Sequence, residues 1–308
     1  MKIGAIVLPV ILMLVLGTYL KAKNMVSSEC ISGIKNIISN IMLPAVLFNA
    51  LSMAVFTSND VKLMAGIYGV FLVILALGFL IRPLFGAYGR FAPFLCVSCE
   101  TGMLGYPLYM TLYGAAGLGT IVRVDLANIL FAFTVFLVAI KATAYGSVNK
   151  KQLVVDSLHS PIIIAVFLGI MMSVTGLGRV LADSAVFEVY NSVIEMVTGP
   201  LTALVLITVG YDLALDQSVL VSVVKVSMAR LLLNGCGLGI VFFLFGSFWA
   251  DRGLLVAVIL MFCLPGQFIT PIYVSDEEQR RFVSTQISLY TLISILAYIV
   301  IAAFLPLS

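Results

Sequence analysis

Residues 98–114 read SCETGMLGYPLYMTLYG, an apolar stretch that carries a glutamate, Glu100, and then Gly102, Gly105 and Pro107. Proline has no backbone N–H to donate, and glycine offers no resistance to unwinding, so a helix here is expected to break in its middle. Residues 262–274, FCLPGQFITPIYV, repeat the device with Pro265, Gly266 and Pro271. Inside a bilayer, unwound backbone is tolerated only where it is buried in protein or lines a cavity. Two interrupted helices in corresponding halves of a chain point to a substrate site at the membrane midplane.

Composition supplies the membrane. Of 308 residues, 62% are apolar and 10% charged, against about 45–50% and 25% in a soluble domain. No soluble core of this size could hide so much apolar surface, which excludes a soluble enzyme, a nucleic-acid binder and a disordered chain. The apolar runs are continuous and lack the alternation of a β-barrel. The reading is an all-α polytopic membrane protein with its surface in the lipid bilayer. Spans of about 20 residues fall at roughly 3–20, 34–55, 62–81, 92–112, 120–141, 160–177, 189–211, 224–248, 253–273 and 283–305. Lys21, Lys23 and Lys35 follow the first apolar run and only Lys2 precedes it, without a clean cleavage site, so that run is expected to be retained as a span.

Charge sets the orientation. Lys21, Lys23, Lys35, Arg82, Arg90, Lys141, Lys150, Lys151, Arg280 and Arg281 follow odd-numbered spans. The positive-inside rule then puts those connections in the cytoplasm and both termini outside. The longest connection, 142–159, carries the sole histidine, His159, and separates five spans (1–141) from five (160–308). An odd number of spans per half inverts one half relative to the other. Pro44 and Pro200 are 156 positions apart, and Pro107 and Pro265 are 158 apart, as an internal repeat would have them. The expectation is an inverted five-plus-five repeat.

Candidate ligands cluster around the breaks. An ionisable residue at the depth of Glu100 is costly and is a functional candidate by default; it can carry a proton or, ionised, help hold a cation. Thr101, Gln267 and Thr270, with Asn49 in span 2, are polar groups that could face the same cavity, although each is also ordinary interhelical glue. The free N–H groups of half-helix N-termini suit an anion such as a carboxylate. Asp125 and Asn128, three apart on span 5 beside Arg123, read as a local ion pair or interface anchor. Lys225 and Arg230 read as residues snorkelling to the inner headgroups. Gly235 and Gly239 in GCGLG have the spacing of a close helix contact. Cys96 and Cys99 form a C-x-x-C with no second pair and no nearby histidine, so no metal and no cofactor are expected. No nucleophile–base set suggests an enzyme.

The ordered series IMLPAVLFNALS (41–52), SCETG…FAFT (98–134), SPIIIAVFLGIMM (160–172) and PLTALVLITVGYDLAL (200–215) resembles the auxin efflux carrier family over essentially the whole chain. That family includes plant auxin carriers and bacterial malate-permease-like proteins. The resemblance implies a fold like that of bile acid:sodium symporters: a scaffold of spans 1, 2, 6 and 7, and a transport domain of spans 3–5 and 8–10. Broken spans 4 and 9 would cross at Gly105, Pro107, Pro265 and Gly266, and transport would be elevator-like. It also implies a homodimer and a small organic anion as substrate, a mono- or dicarboxylate, carried across a plasma membrane. Many members have asparagine where this chain has Glu100. An ionised glutamate would repel a carboxylate, so either Glu100 is protonated when substrate binds, which makes transport proton-linked, or the substrate is not a simple anion. The expected function is secondary transport of an organic anion, proton-linked through Glu100. The alternatives are sodium coupling of the bile-acid-symporter kind and a non-enzymatic sensor acting through a partner.

Overall fold

The computed structural model describes residues 3–146, 159–246 and 250–304. It is 86% helix, and its described residues contain no strand. In chain order the elements are α1 (Ile3–Ala22), α2 (Ser28–Ser52), α3 (Ser58–Ile81), α4 (Ala92–Cys96), α5 (Tyr106–Tyr113), α6 (Ala115–Tyr145), α7 (Pro161–Thr175), α8 (Leu177–Ala182), α9 (Phe187–Thr198), α10 (Leu201–Asp212), α11 (Leu220–Leu244), α12 (Arg252–Cys263) and α13 (Glu277–Phe304). Seven stretches among the described residues are long and apolar enough to cross a membrane. The three other expected spans fall short for visible reasons. Two are interrupted, at 97–100 and 264–269, and α7 has only 15 residues. Of the expected 142–159 connection, Lys150, Lys151 and Asp156 lie outside the described residues.

Prolines reshape the helices rather than end them. Pro44 and Pro107 would each clash with the carbonyl four residues back, at Asn40 and Met103. Both of those residues sit in widened π-helical turns, Ile38–Met42 and Thr101–Gly105. A π turn absorbs such a mismatch without abandoning the helix, and such turns recur at functional sites.

The chain forms two compact units, each drawn from both halves of the sequence. The first comprises Met1–Ser58, Gly102–Arg123 and Val154–Asp212. Within it α1 packs along α10, and α7 along α2. Glycines let the backbones meet: a Cβ on Gly17 would run into Ile207 O, one on Gly210 into Leu14 O, and one on Gly178 into Ser52 O. Close backbone approach through small residues is how helices associate in lipid, where apolar burial gives no net drive. Hydroxyls reinforce both pairs. Thr18 Oγ1 donates to Gly210 O at 3.0 Å, and Ser173 Oγ donates to Ala54 O at 2.6 Å. Lys35 forms an ion pair with Asp212.

The second unit comprises Asn59–Thr101, Val124–Leu153 and Leu213–Ser308. Helix α11 is its spine and packs against α13, α4 and α12. Phe71 lies against Phe131 and Phe262, with ring centroids 5.5 and 5.6 Å apart. Among the described residues of this chain, Gly235 and Gly239 make no close helix contact of the kind their spacing suggests, since a Cβ at either would meet open space. Gly237, on the opposite face, lies against Val70, Ile74 and Phe262.

Candidate functional site

The two interruptions meet in the second unit. Helix α4 stops at Cys96, after which Val97 is extended and Ser98 takes a left-handed φ of 59°. A left-handed serine costs energy and persists only where its surroundings hold it. Helix α12 stops at Cys263, and Leu264 is extended in the same way. The breaks then bond to one another. Glu100 N–H donates to Pro265 O at 2.9 Å, and Phe268 N–H donates to Glu100 Oε2 at 2.7 Å. Gln267 Nε2 reaches back to Ser98 Oγ at 2.9 Å and Cys99 O at 3.0 Å.

Arg230 stands between the two breaks. It does not snorkel: it is fully buried on α11, with 0% of its surface exposed. Its Nη1 donates to Leu95 O at 2.8 Å and Val97 O at 3.3 Å, and its Nη2 to Ser98 O and Leu264 O, both at 2.7 Å. Its Nε also donates to Leu264 O, at 3.3 Å. All five N–H groups of the guanidinium are therefore used. Its carbon lies 4.9 Å from the centre of the Tyr290 ring. One turn along α11, Asn234 Nδ2 donates to Cys96 O at 2.8 Å. These carbonyls belong to helix ends that lack their own donors and carry partial negative charge, so a buried cation beside them is compensated.

Asn128 holds the other side of the first break. Its Oδ1 accepts from Ser98 Oγ at 2.7 Å and from Cys99 N–H at 3.1 Å. Its Nδ2 donates to Cys99 O at 2.8 Å, to Asp125 Oδ1 at 2.9 Å and to Thr101 Oγ1 at 3.4 Å. Both Asn128 and Asp125 are buried. Asn128 is thus not an interface anchor but the clamp that holds the non-helical stretch from Ser98 to the π turn at Thr101.

The sequence-derived candidates divide. Glu100, Thr101, Pro265, Gly266 and Gln267 gather where the two interruptions meet. Thr270 is buried beside them, its hydroxyl donating to Gln267 O at 2.7 Å. Gly105 ends the π turn and Pro107 sits in the first turn of α5, both in the segment grouped with the first unit. Asn49 belongs to that unit as well, its Oδ1 accepting from Tyr190 Oη at 2.9 Å. Pro107 and Pro265 do not occupy matching positions. Pro265 lies in the break itself, whereas Pro271 opens the turn after it, as Pro107 opens α5. That turn, Thr270–Tyr273, is only four residues long, so the second half of span 9 is far shorter than a half-helix.

Sequence reasoning missed Arg230, Asn234, Ser98 and the role of Asn128. A signal existed for the first two: an arginine and an asparagine four apart share one face of a helix, which lipid would not favour. No protein-family model and no curated protein matches this chain.

Proposed function

We propose that this chain is a secondary transporter of the auxin efflux carrier kind, moving a small mono- or dicarboxylate across a plasma membrane. The observation that carries the reading is the mutual bonding of two helix breaks, Glu100 N–H to Pro265 O, in an otherwise apolar helical protein. Interrupted spans that meet at depth have no role in a passive anchor, and they offer substrate the backbone and side-chain polar groups it needs. Glu100, Thr101 and Gln267 are the ligands at that crossing.

The inverted five-plus-five repeat and its ten spans belong to this reading. An exchange of halves turns the α1–α10 pair into the α7–α2 pair. It also turns the Thr18-to-Gly210 bond into the Ser173-to-Ala54 bond, at offsets of the kind that relate Pro44 to Pro200. The grouping of α1, α2, α7, α9 and α10 apart from α3, α4, α11, α12 and α13 supports a scaffold and a moving domain, although Gly102–Arg123, which holds α5 and the start of α6 and was expected in the moving domain, groups with the first. Both termini lie outside in this account.

Coupling runs through Glu100. Its carboxylate takes the Phe268 N–H and repels an anion, so a carboxylate substrate binds when Glu100 carries a proton. The test is transient current from reconstituted proteoliposomes on a solid support, challenged with a panel of carboxylates. Saturable current or counterflow for at least one carboxylate is expected, stronger at lower pH. Silence in both assays across the panel would contradict the reading.

A further inference from the structure

We infer that Arg230 is a tethered cation that stands where a coupling cation would otherwise bind, leaving sodium without a site at the crossing. In secondary transporters with broken helices, unwound carbonyls and half-helix C-terminal ends hold the coupling cation. Here α4 and α12 both end at the breaks, and the carbonyls of Leu95 in the last turn of α4 and of Val97, Ser98 and Leu264 just beyond the two helices converge on one guanidinium. Asn234 takes the carbonyl of Cys96, and Tyr290 lies against the guanidinium.

The fixed charge has two consequences. It repels a second cation within a few ångströms, and buried surroundings screen that repulsion poorly. It is also permanent, because a guanidinium does not lose its proton in a protein. Arg230 therefore positions both breaks throughout, and the buried carboxylates there, Glu100 at the breaks and Asp125 behind Asn128, are the acidic groups whose charge can change. Arg230 acts through the breaks and is a positioning residue. Its role as a stand-in for a coupling ion rests on the transport reading above, but the cation site itself can be tested without transport.

Purified wild-type protein in detergent should melt at the same midpoint in matched chlorides of sodium, potassium and choline. Arg230→Ala opens the cage, so its midpoint should fall, recover with methylguanidinium more than with methylammonium, and gain a sodium response over potassium. Arg230→Lys keeps a tethered charge with fewer donors; it should melt between the two and stay indifferent to sodium. A sodium-specific rise in the wild-type midpoint overturns the inference, as does an Arg230→Ala protein indifferent to both methylguanidinium and sodium. Should Arg230→Ala not survive purification, the wild type and Arg230→Lys decide, and sodium stabilisation of either overturns it. Silence of the carboxylate panel would defeat the transport reading and leave the melting result standing.

Discussion

Arg230→Met is expected to be the most destabilising single substitution in the second unit. Methionine fills a similar volume, so packing against Tyr290 is largely kept while every donated hydrogen bond is lost. Four buried carbonyls, those of Leu95, Val97, Ser98 and Leu264, would then lack this donor at helix ends where none is available from the chain. Relief of the arginine's own desolvation offsets part of this, but each buried carbonyl left without a donor costs about 1–3 kcal/mol, so a net loss of about 3–5 kcal/mol is expected. That corresponds to a fall in melting midpoint of roughly 10 °C for a chain of this size. Thermal unfolding can be followed by maleimide labelling of Cys96 and Cys99, whose thiols are buried, above the constant signal of exposed Cys30 and Cys236. A midpoint within a degree or two of wild type would mean that the guanidinium does not hold the breaks.

Asn128→Leu should come second. The amide serves Cys99 N–H and Cys99 C=O at once, and leucine leaves both without it in the protein interior. Each buried backbone group left unpaired costs about 1–3 kcal/mol, so a loss of about 2–4 kcal/mol is expected in the same assay. Ser98 loses its acceptor too, and with it part of what pins its left-handed backbone. Asn128→Asp separates charge from shape. It keeps the acceptor for Ser98 and Cys99 N–H, loses the bonds donated to Cys99 O and Thr101, and sets a carboxylate against Asp125. It should therefore be no better than leucine.

The second break was legible because Pro265 and Gly266 act locally, through a missing N–H or a missing side chain, whereas the first falls at 97–100, ahead of Gly102, Gly105 and Pro107, which lie in the π turn and α5. The helical membrane class was legible because composition leaves little choice. What holds the breaks open was not. Arg230 sits in MARLLLNGCG, followed by three leucines and five residues from exposed Lys225, a pattern that snorkelling also produces. Only the placing of two helix C-termini against α11 distinguishes the readings, and that is a long-range fact. Asn128 is a similar case: its three-residue spacing from Asp125 was correct, but its partners lie about 30 residues away at Ser98 and Cys99. The proline register misled for a different reason. Span 9 spends its residues on an extended break and one short turn, so equal offsets in sequence do not match equal positions in space.

Gating of carboxylate transport by a proton on Glu100, as proposed above, has a direct readout. The direct measurement is the pH profile of transport for wild type and Glu100→Gln, using a carboxylate that stays ionised over the range tested. Wild-type transport should fall as pH rises, because an ionised Glu100 opposes the anion and keeps the Phe268 N–H. Glutamine is neutral at every pH, so the variant should transport with a flat profile and fail to use a pH gradient for accumulation. A Glu100→Gln protein that keeps the wild-type pH dependence would contradict the account.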